Sequence, residues 1–397
     1  MRGYPPWPWV YVMTWHGCEQ RVIILGPNNR VPLVGIYKFQ RARVNLSAAL
    51  ITWRRQFVIR EASSGQPYLN IRMRFELALA SAAVIGVTAS PLYGRQSSEP
   101  VQFFNFTSGI PFENSFLRSE TQLLATTLSS NNLYSLNPLA ASPEAEVVAV
   151  LPDVTTITGL VGSAAGKVVV LGGVKGNTTF GYEDQTVFTV DFGSDSSCSR
   201  KRAEPTITAV AKLPDAVLLN GVAALPAHPE VVLITDSIQY CIWRVDTTTG
   251  AVDKLITDEA LSSPANAALP LGANGLKIYD GHAYFTNTGA GIFARVPITE
   301  DGEQDGDVEI LATVPLDVNY DDFAISNEGV AYLSQSPGAV VRVVPGGAAE
   351  FVIGADGDTT LTGPTSITLP KGGKKAYVTT RGVTASGISG QVFEISI

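Results

Sequence analysis

Histidine is scarce in this chain, with three in 397 residues, and two of them, His228 in "PAHPE" and His282 in "DGHAY", fall in turn-rich stretches. A Ser-His-Asp triad or a histidine-built zinc site therefore has little support. Cysteine is equally sparse. Cys18, Cys198 and Cys241 exclude a disulfide-dense scaffold and leave a Cys198–Cys241 bridge as the one pairing outside the first seventy residues, open to formation in an oxidising compartment. No apolar run reaches the roughly 20 residues that a membrane-spanning helix needs. The glycine-rich "LGGVKGN" at 171–177 lacks the following helix that a phosphate-binding loop requires. A net charge of −8 argues against nucleic acid as a partner.

The acidity is uneven. Residues 1–72 hold ten Lys/Arg against two Asp/Glu, with four of the five tryptophans, whereas the remainder carries a net charge of −16. At the junction stands "MRFELALASAAVIGVTAS": Arg74, an apolar core from Leu77 to Val87, then Thr88, Ala89 and Ser90. That is the pattern of a secretory signal peptide over 73–89, with Glu76 as the one departure. A signal peptide is read from a chain's start, so the expectation is that Met73 is the native start and 1–72 a gene-model artefact, the alternative being a disordered basic leader. The mature chain is then secreted or in the secretory pathway. Sequons at Asn105 ("NFT") and Asn177 ("NTT") agree with that route. "SRKRAEP" at 199–205 reads as a solvated loop in preference to a processing site.

What the chain has in abundance is short apolar runs of four to seven residues, rich in Val, Ile, Tyr and Phe and broken by Gly, Asp and Asn. They repeat. A polar or glycine turn entering a strand recurs at Glu113, Gly159, Asn220, Asn274, Asp321 and Gly363, each followed by second and third strands. A fourth follows in five of the six units, and "VQFFNFTSG" at 101–109 supplies the one missing from the last. Six four-stranded units, with an N-terminal strand completing the final one, predict an all-β, six-bladed propeller over 100–397, closed so that no edge is left open.

In a propeller the loops entering the inner strands gather at one mouth, so the six markers should converge near the axis. Glu113, Asn220, Asn274 and Asp321 offer side-chain oxygen there, a hard donor set suited to a Ca, Mg or Mn ion. Each of them alone is also an ordinary turn former, and both readings stand at this level.

These residues resemble the senescence-marker-protein and gluconolactonase group of six-bladed propellers, in particular a fungal branch with the steps Glu113-Asn114, Asn220-Gly221-Val222, Asn274-Gly275-Leu276-Lys277, "TNTG" at 286–289, "DDFA" at 321–324 and "GPTS" at 363–366. The resemblance implies one divalent cation on Glu113, Asn220, Asn274 and Asp321, polarising a lactone carbonyl, with Asp321 relaying a proton. "FENSF" in place of the group's "EGP" step, and Asp322 in place of its glycine, depart from that pattern. Some fungal members of this branch, which the chain resembles in these motifs, act in secondary metabolism. They include enzymes guiding hetero-Diels–Alder coupling of a tropolone-derived quinone methide with a terpene such as humulene; on that reading the expected cofactor is none. For that reaction the expected polar contacts are Asn114, Asn220, Asn274, Thr365 and Ser366, and the apolar walls Phe116, Tyr320 and Phe323, around a small, largely apolar metabolite. A non-catalytic binding propeller is the third expectation.

Overall fold

The protein is described by a computed structural model covering residues 99–107, 109–193, 204–354, 360–383 and 387–397, together with three early strands. Those strands, Val10–His16, Glu19–Leu25 and Leu33–Tyr37, pair in that order as an antiparallel sheet belonging to a unit over Met1–Leu92. The leader expected at 73–89 lies outside the described residues. No helix among the described residues is long and apolar enough to cross a membrane.

The second unit, Tyr93–Ile397, holds six four-stranded antiparallel sheets. Their inner strands are Ser115–Ser119, Thr156–Gly162, Leu219–Ala224, Ala273–Tyr279, Tyr320–Ile325 and Pro364–Thr368. Each inner strand touches the next around the circle, and Pro364–Thr368 returns to Ser115–Ser119, so the blades close into a ring. The sixth blade is completed from the N-terminal side: Val101–Asn105 pairs with Gln391–Ser396, with Asn105 opposite Gln391. This is the closure that the repeat count predicts.

The strand patterns follow from burial on two faces. In blade 3 the second strand Val231–Asp236 is buried throughout. Side chains alternate across a strand, so Val231 and Leu233 pack towards blade 4 while Val232 and Ile234 pack towards blade 2. That is why "VVLITD" reads as an unbroken apolar run. Six apolar clusters fill the six interfaces between neighbouring blades, the last joining Tyr377 and Val392 of blade 6 to Leu123 and Leu136 of blade 1. Outer strands have one neighbour fewer, and their apolar residues Val101, Val147, Ile310 and Phe351 remain exposed.

Candidate functional site

Where each inner strand begins, two of its residues sit opposite a single residue of the second strand. In blade 3, Leu219 pairs with Asp236 and Val222 with Ile234, so Asn220 and Gly221 share Thr235. Asn274 and Gly275 share Thr286 in blade 4, Asp321 and Asp322 share Ser334 in blade 5, and Thr158 and Gly159 share Leu171 in blade 2. In blade 1, main-chain bonds set Glu113 and Asn114 opposite Thr126. A β-bulge of this kind re-aims the side chain of the extra residue. The same device thus presents a polar residue at the same place in successive blades.

The residue facing each bulge ties that blade to the next. Hydroxyls of Thr126, Thr235, Thr286 and Ser334 donate to the main-chain carbonyls of Thr158, Asn274, Asp321 and Thr365 respectively. These bonds fix the register of the ring: Glu113, Thr158, Asn220, Asn274, Asp321 and Thr365 are equivalent. The markers expected at Gly159 and Gly363 are therefore displaced. Gly159 lies one residue past its blade's ring residue, and Gly363, at φ 64°, lies two before Thr365. Aligning the glycine of Thr158-Gly159 with those of Asn220-Gly221 and Asn274-Gly275 recovers the register; Thr158 is the member that sequence reasoning missed.

The next layer, Asn114, Gly159, Gly221, Gly275, Asp322 and Ser366, is glycine wherever the following blade's main chain comes close. A Cβ on Gly275 would lie 2.8 Å from the Cα of Asp322, and one on Gly221 2.6 Å from the amide nitrogen of Leu276. Asp322 itself is buried, bound at Oδ1 by Lys277 Nζ at 2.6 Å and at Oδ2 by Ser366 Oγ at 3.1 Å.

Two ring amides are held by matching relays. Asn274 Nδ2 donates to Thr288 Oγ1 and to Asp321 Oδ1, both at 2.9 Å, while Thr288 Oγ1 donates to the carbonyl of Tyr320. Asn220 Nδ2 donates to Ser237 Oγ, which donates to the carbonyl of Ala273. Because each hydroxyl already spends its proton on a carbonyl, the amide nitrogen must face it. The Oδ1 atoms of Asn220 and Asn274 are buried and have no hydrogen-bond partner among the described residues. The "TNTG" motif is explained by the same network: Thr286 and Thr288 brace the ring, and Asn287 holds the carbonyls of Ala260 and Ser262.

Glu113 and Asp321 carry the ring's carboxyl groups. Burial, reinforced by the charges of Asp321 and Asp322, raises Glu113 well above the ordinary carboxylate range. Burial likewise raises Asp321 to about 7, opposed by the positive charge of Arg381 and by the bond from Asn274. Arg381, which sequence reasoning also missed, directly follows Lys375–Thr380. It is placed beside Glu113 because the carbonyl of Thr380 accepts from the amide of Phe112. Among the ring residues only Asp321 has appreciable solvent exposure, and Arg381 is exposed beside it; Glu113, Thr158, Asn220, Asn274 and Thr365 are buried.

The remaining expected site residues separate into two groups. Asn114, Thr365 and Ser366 fall in the two polar layers, with Thr365 Oγ1 donating to the carbonyl of Thr379. Phe116, Tyr320 and Phe323, expected as apolar walls, are packing residues instead. Phe116 lies against Gly162 between blades 1 and 2, and Tyr320 and Phe323 belong to the core between blades 4 and 5. Alternation accounts for this, since strand side chains point into the blade interfaces and leave the strand's edge to the axis. Asn105 and Asn177 are exposed, Cys241 is a buried free thiol, and Cys198 lies outside the described residues.

Two carboxyls raised by burial and by neighbouring acidic charge, with two amide oxygens lacking partners, suit a hard cation. Asn274, however, turns its nitrogen and not its oxygen to Asp321.

No family model matches the chain. Two curated proteins are similar to it in sequence. "Putative hetero-Diels-Alderase asR5" of Sarocladium schorii is 34% identical over 144 residues, 32% of this chain and 35% of that protein. A "Putative hetero-Diels-Alderase" of a Phoma species is 29% identical over 188 residues, 42% of this chain and 53% of that protein. The chain thus spans from about a third to about half the length of the curated relatives it matches. In fold it is similar to a gluconolactonase of Xanthomonas campestris, with a TM-score of 0.52 at 13% identity over 75% of this chain and 89% of that one. The likeness in fold is to gluconolactonase-type propellers and the likeness in sequence is to proteins named as hetero-Diels–Alderases.

Proposed function

We propose that this protein is an enzyme that couples a conjugated carbonyl heterodiene with an apolar alkene at the axial mouth, by a hetero-Diels–Alder reaction. The observation that carries this reading is the pair of ring carboxyls, Glu113 and Asp321, held towards their neutral, proton-donating form by burial. A carboxylic acid that donates to the heterodiene oxygen draws electron density from the diene and lowers the barrier to addition. The cycloaddition forms one C–C and one C–O bond with no leaving group and no change of oxidation level, so positioning supplies most of what remains. The names of the two curated relatives support the same reaction class. Secretion belongs to the proposal too, supported by the exposure of both sequon asparagines.

The test is to incubate the full chain with a quinone methide released in situ and a terpene alkene such as humulene, following the adduct by chiral chromatography. One stereoisomer, formed faster than in buffer and slowed by Asp321→Asn, is the expected result. A racemic adduct at the background rate would exclude the reading. A second reading, a divalent-metal lactonase, is favoured by the unpartnered oxygens of Asn220 and Asn274. Glu113, Asn220, Asn274 and Asp321 would then hold a cation that polarises a lactone carbonyl. That reading requires lactone hydrolysis abolished by chelation and restored by added Mn or Ca.

A further inference from the structure

Charge around the ring is unevenly distributed. At the bulges blades 2, 3 and 4 place the uncharged Thr158-Gly159, Asn220-Gly221 and Asn274-Gly275, and the one blade-4 charge beside them, Lys277, is spent on Asp322; Glu113, Asp321 and Arg381 belong to blades 1, 5 and 6. Arg381 is the exposed cation of that arc. Among the described residues it forms no ion pair and no side-chain hydrogen bond, its backbone alone being engaged through the carbonyl of Gly363 at 2.8 Å.

Its place is nevertheless built. A side chain on Gly363 would lie 2.8 Å from Cγ and 2.9 Å from Nε of Arg381, so any larger residue there would have to displace the arginine stem. Gly363 also holds φ 64°, a conformation glycine adopts without strain. The stem thus lies against Gly363, and the guanidinium, with five donors in a planar fork, has the charges of Glu113 and Asp321 nearby but neither an ion pair nor a hydrogen bond among the described residues.

We infer that Arg381 is a substrate-positioning residue whose guanidinium binds an anionic oxygen, an enolate or carboxylate conjugated to the reacting carbonyl. It orients the polar partner over blades 5, 6 and 1. This deepens the hetero-Diels–Alder reading and rests on it for the identity of the two partners.

Tropolone, an acidic enol, and tropone, the same ring without the hydroxyl, are the probes, compared by calorimetric titration of the full chain at about pH 8, where the enol is ionised, and again in Asp321→Asn, which lacks the charge Asp321 carries above about pH 7. Tropolone is expected to bind roughly tenfold more tightly than tropone, the scale of a charge-assisted bidentate contact at a partly solvated site. Arg381→Met should bring the two within about twofold of each other, and Arg381→Lys should keep part of the preference. In the coupling assay Arg381→Met should raise KM for an acidic heterodiene and leave KM for the alkene unchanged. Because Arg381 is exposed, its thermal midpoint should match the wild type, which separates positioning from folding. A preference for tropolone that survives Arg381→Met, or equal binding of both probes by the wild type, overturns the inference. If the preference depends on Arg381 but no coupling occurs, the anion site stands and the reaction assignment falls.

Discussion

Replacing Asp321 by asparagine tests the electrostatics of the ring through stability, with no substrate required. Asp321 is raised from an ordinary 3.8 to about 7, chiefly by burial. The folded state therefore keeps its proton over a range in which the unfolded chain has lost it. Stability from this group is fully present below about pH 4 and is lost as pH rises through about 7. At about 1.4 kcal/mol per unit the gap amounts to roughly 4 kcal/mol, and solvent reaching the partly exposed carboxyl brings it to about 3. Glu113 shifts in the same direction. For a domain near 300 residues this is a fall in melting temperature on the order of 5 °C between about pH 4 and pH 8. Calorimetry of wild type and Asp321→Asn at matched pH, in chelator, isolates the effect, because titrations elsewhere cancel in the difference. The variant should lose much less stability across that window and be the more stable protein at about pH 8. A wild-type minus variant difference that stays flat with pH would refute the reasoning. Repeating the scans with Mn or Ca separates the two functional readings: a cation held by the ring raises the wild-type midpoint at neutral pH and leaves the variant's nearly unmoved.

Lys277→Met leaves the Asp322 carboxylate buried with Ser366 as its remaining side-chain partner. It should cost about 3–5 kcal/mol in urea unfolding, and Lys277→Met combined with Asp322→Asn should recover most of that. A loss below about 1 kcal/mol in the single variant would mean the pair is solvated. Thr288→Val removes the acceptor of Asn274 Nδ2 and the donor to the carbonyl of Tyr320. About 1–3 kcal/mol of stability should go with it, and the coupling rate should fall with KM little changed; an unaltered rate would mean that the relay does not position the amide.

The readability of this chain differed from level to level. Blade number and closure were legible because burial on two faces leaves an unbroken apolar run such as "VVLITD", repeated at a regular interval, and because "VQFFN" stands where the last blade lacks a strand. Glu113, Asn220, Asn274 and Asp321 were legible as equivalents for the same reason. Thr158 was not, since the bulge that re-aims it depends on pairing with a second strand, and glycine was the louder signal. Phe323 looked like a pocket wall because aromatic residues beside a polar motif carry no mark of the face they occupy.

By itself, then, the sequence determined the propeller, its six units and the oxygen-bearing character of the mouth. Those follow from local patterns of apolarity and turn chemistry, each contained within one blade. Only the tertiary structure decided the register of the ring, the unpartnered oxygens of Asn220 and Asn274, the shifted carboxyls and the seat of Arg381. Each of these arises between blades: a hydroxyl on one strand meets a carbonyl on the next blade, and an arginine late in the chain settles beside a glutamate near the domain's start. Distance along the chain hides such meetings until the ring closes.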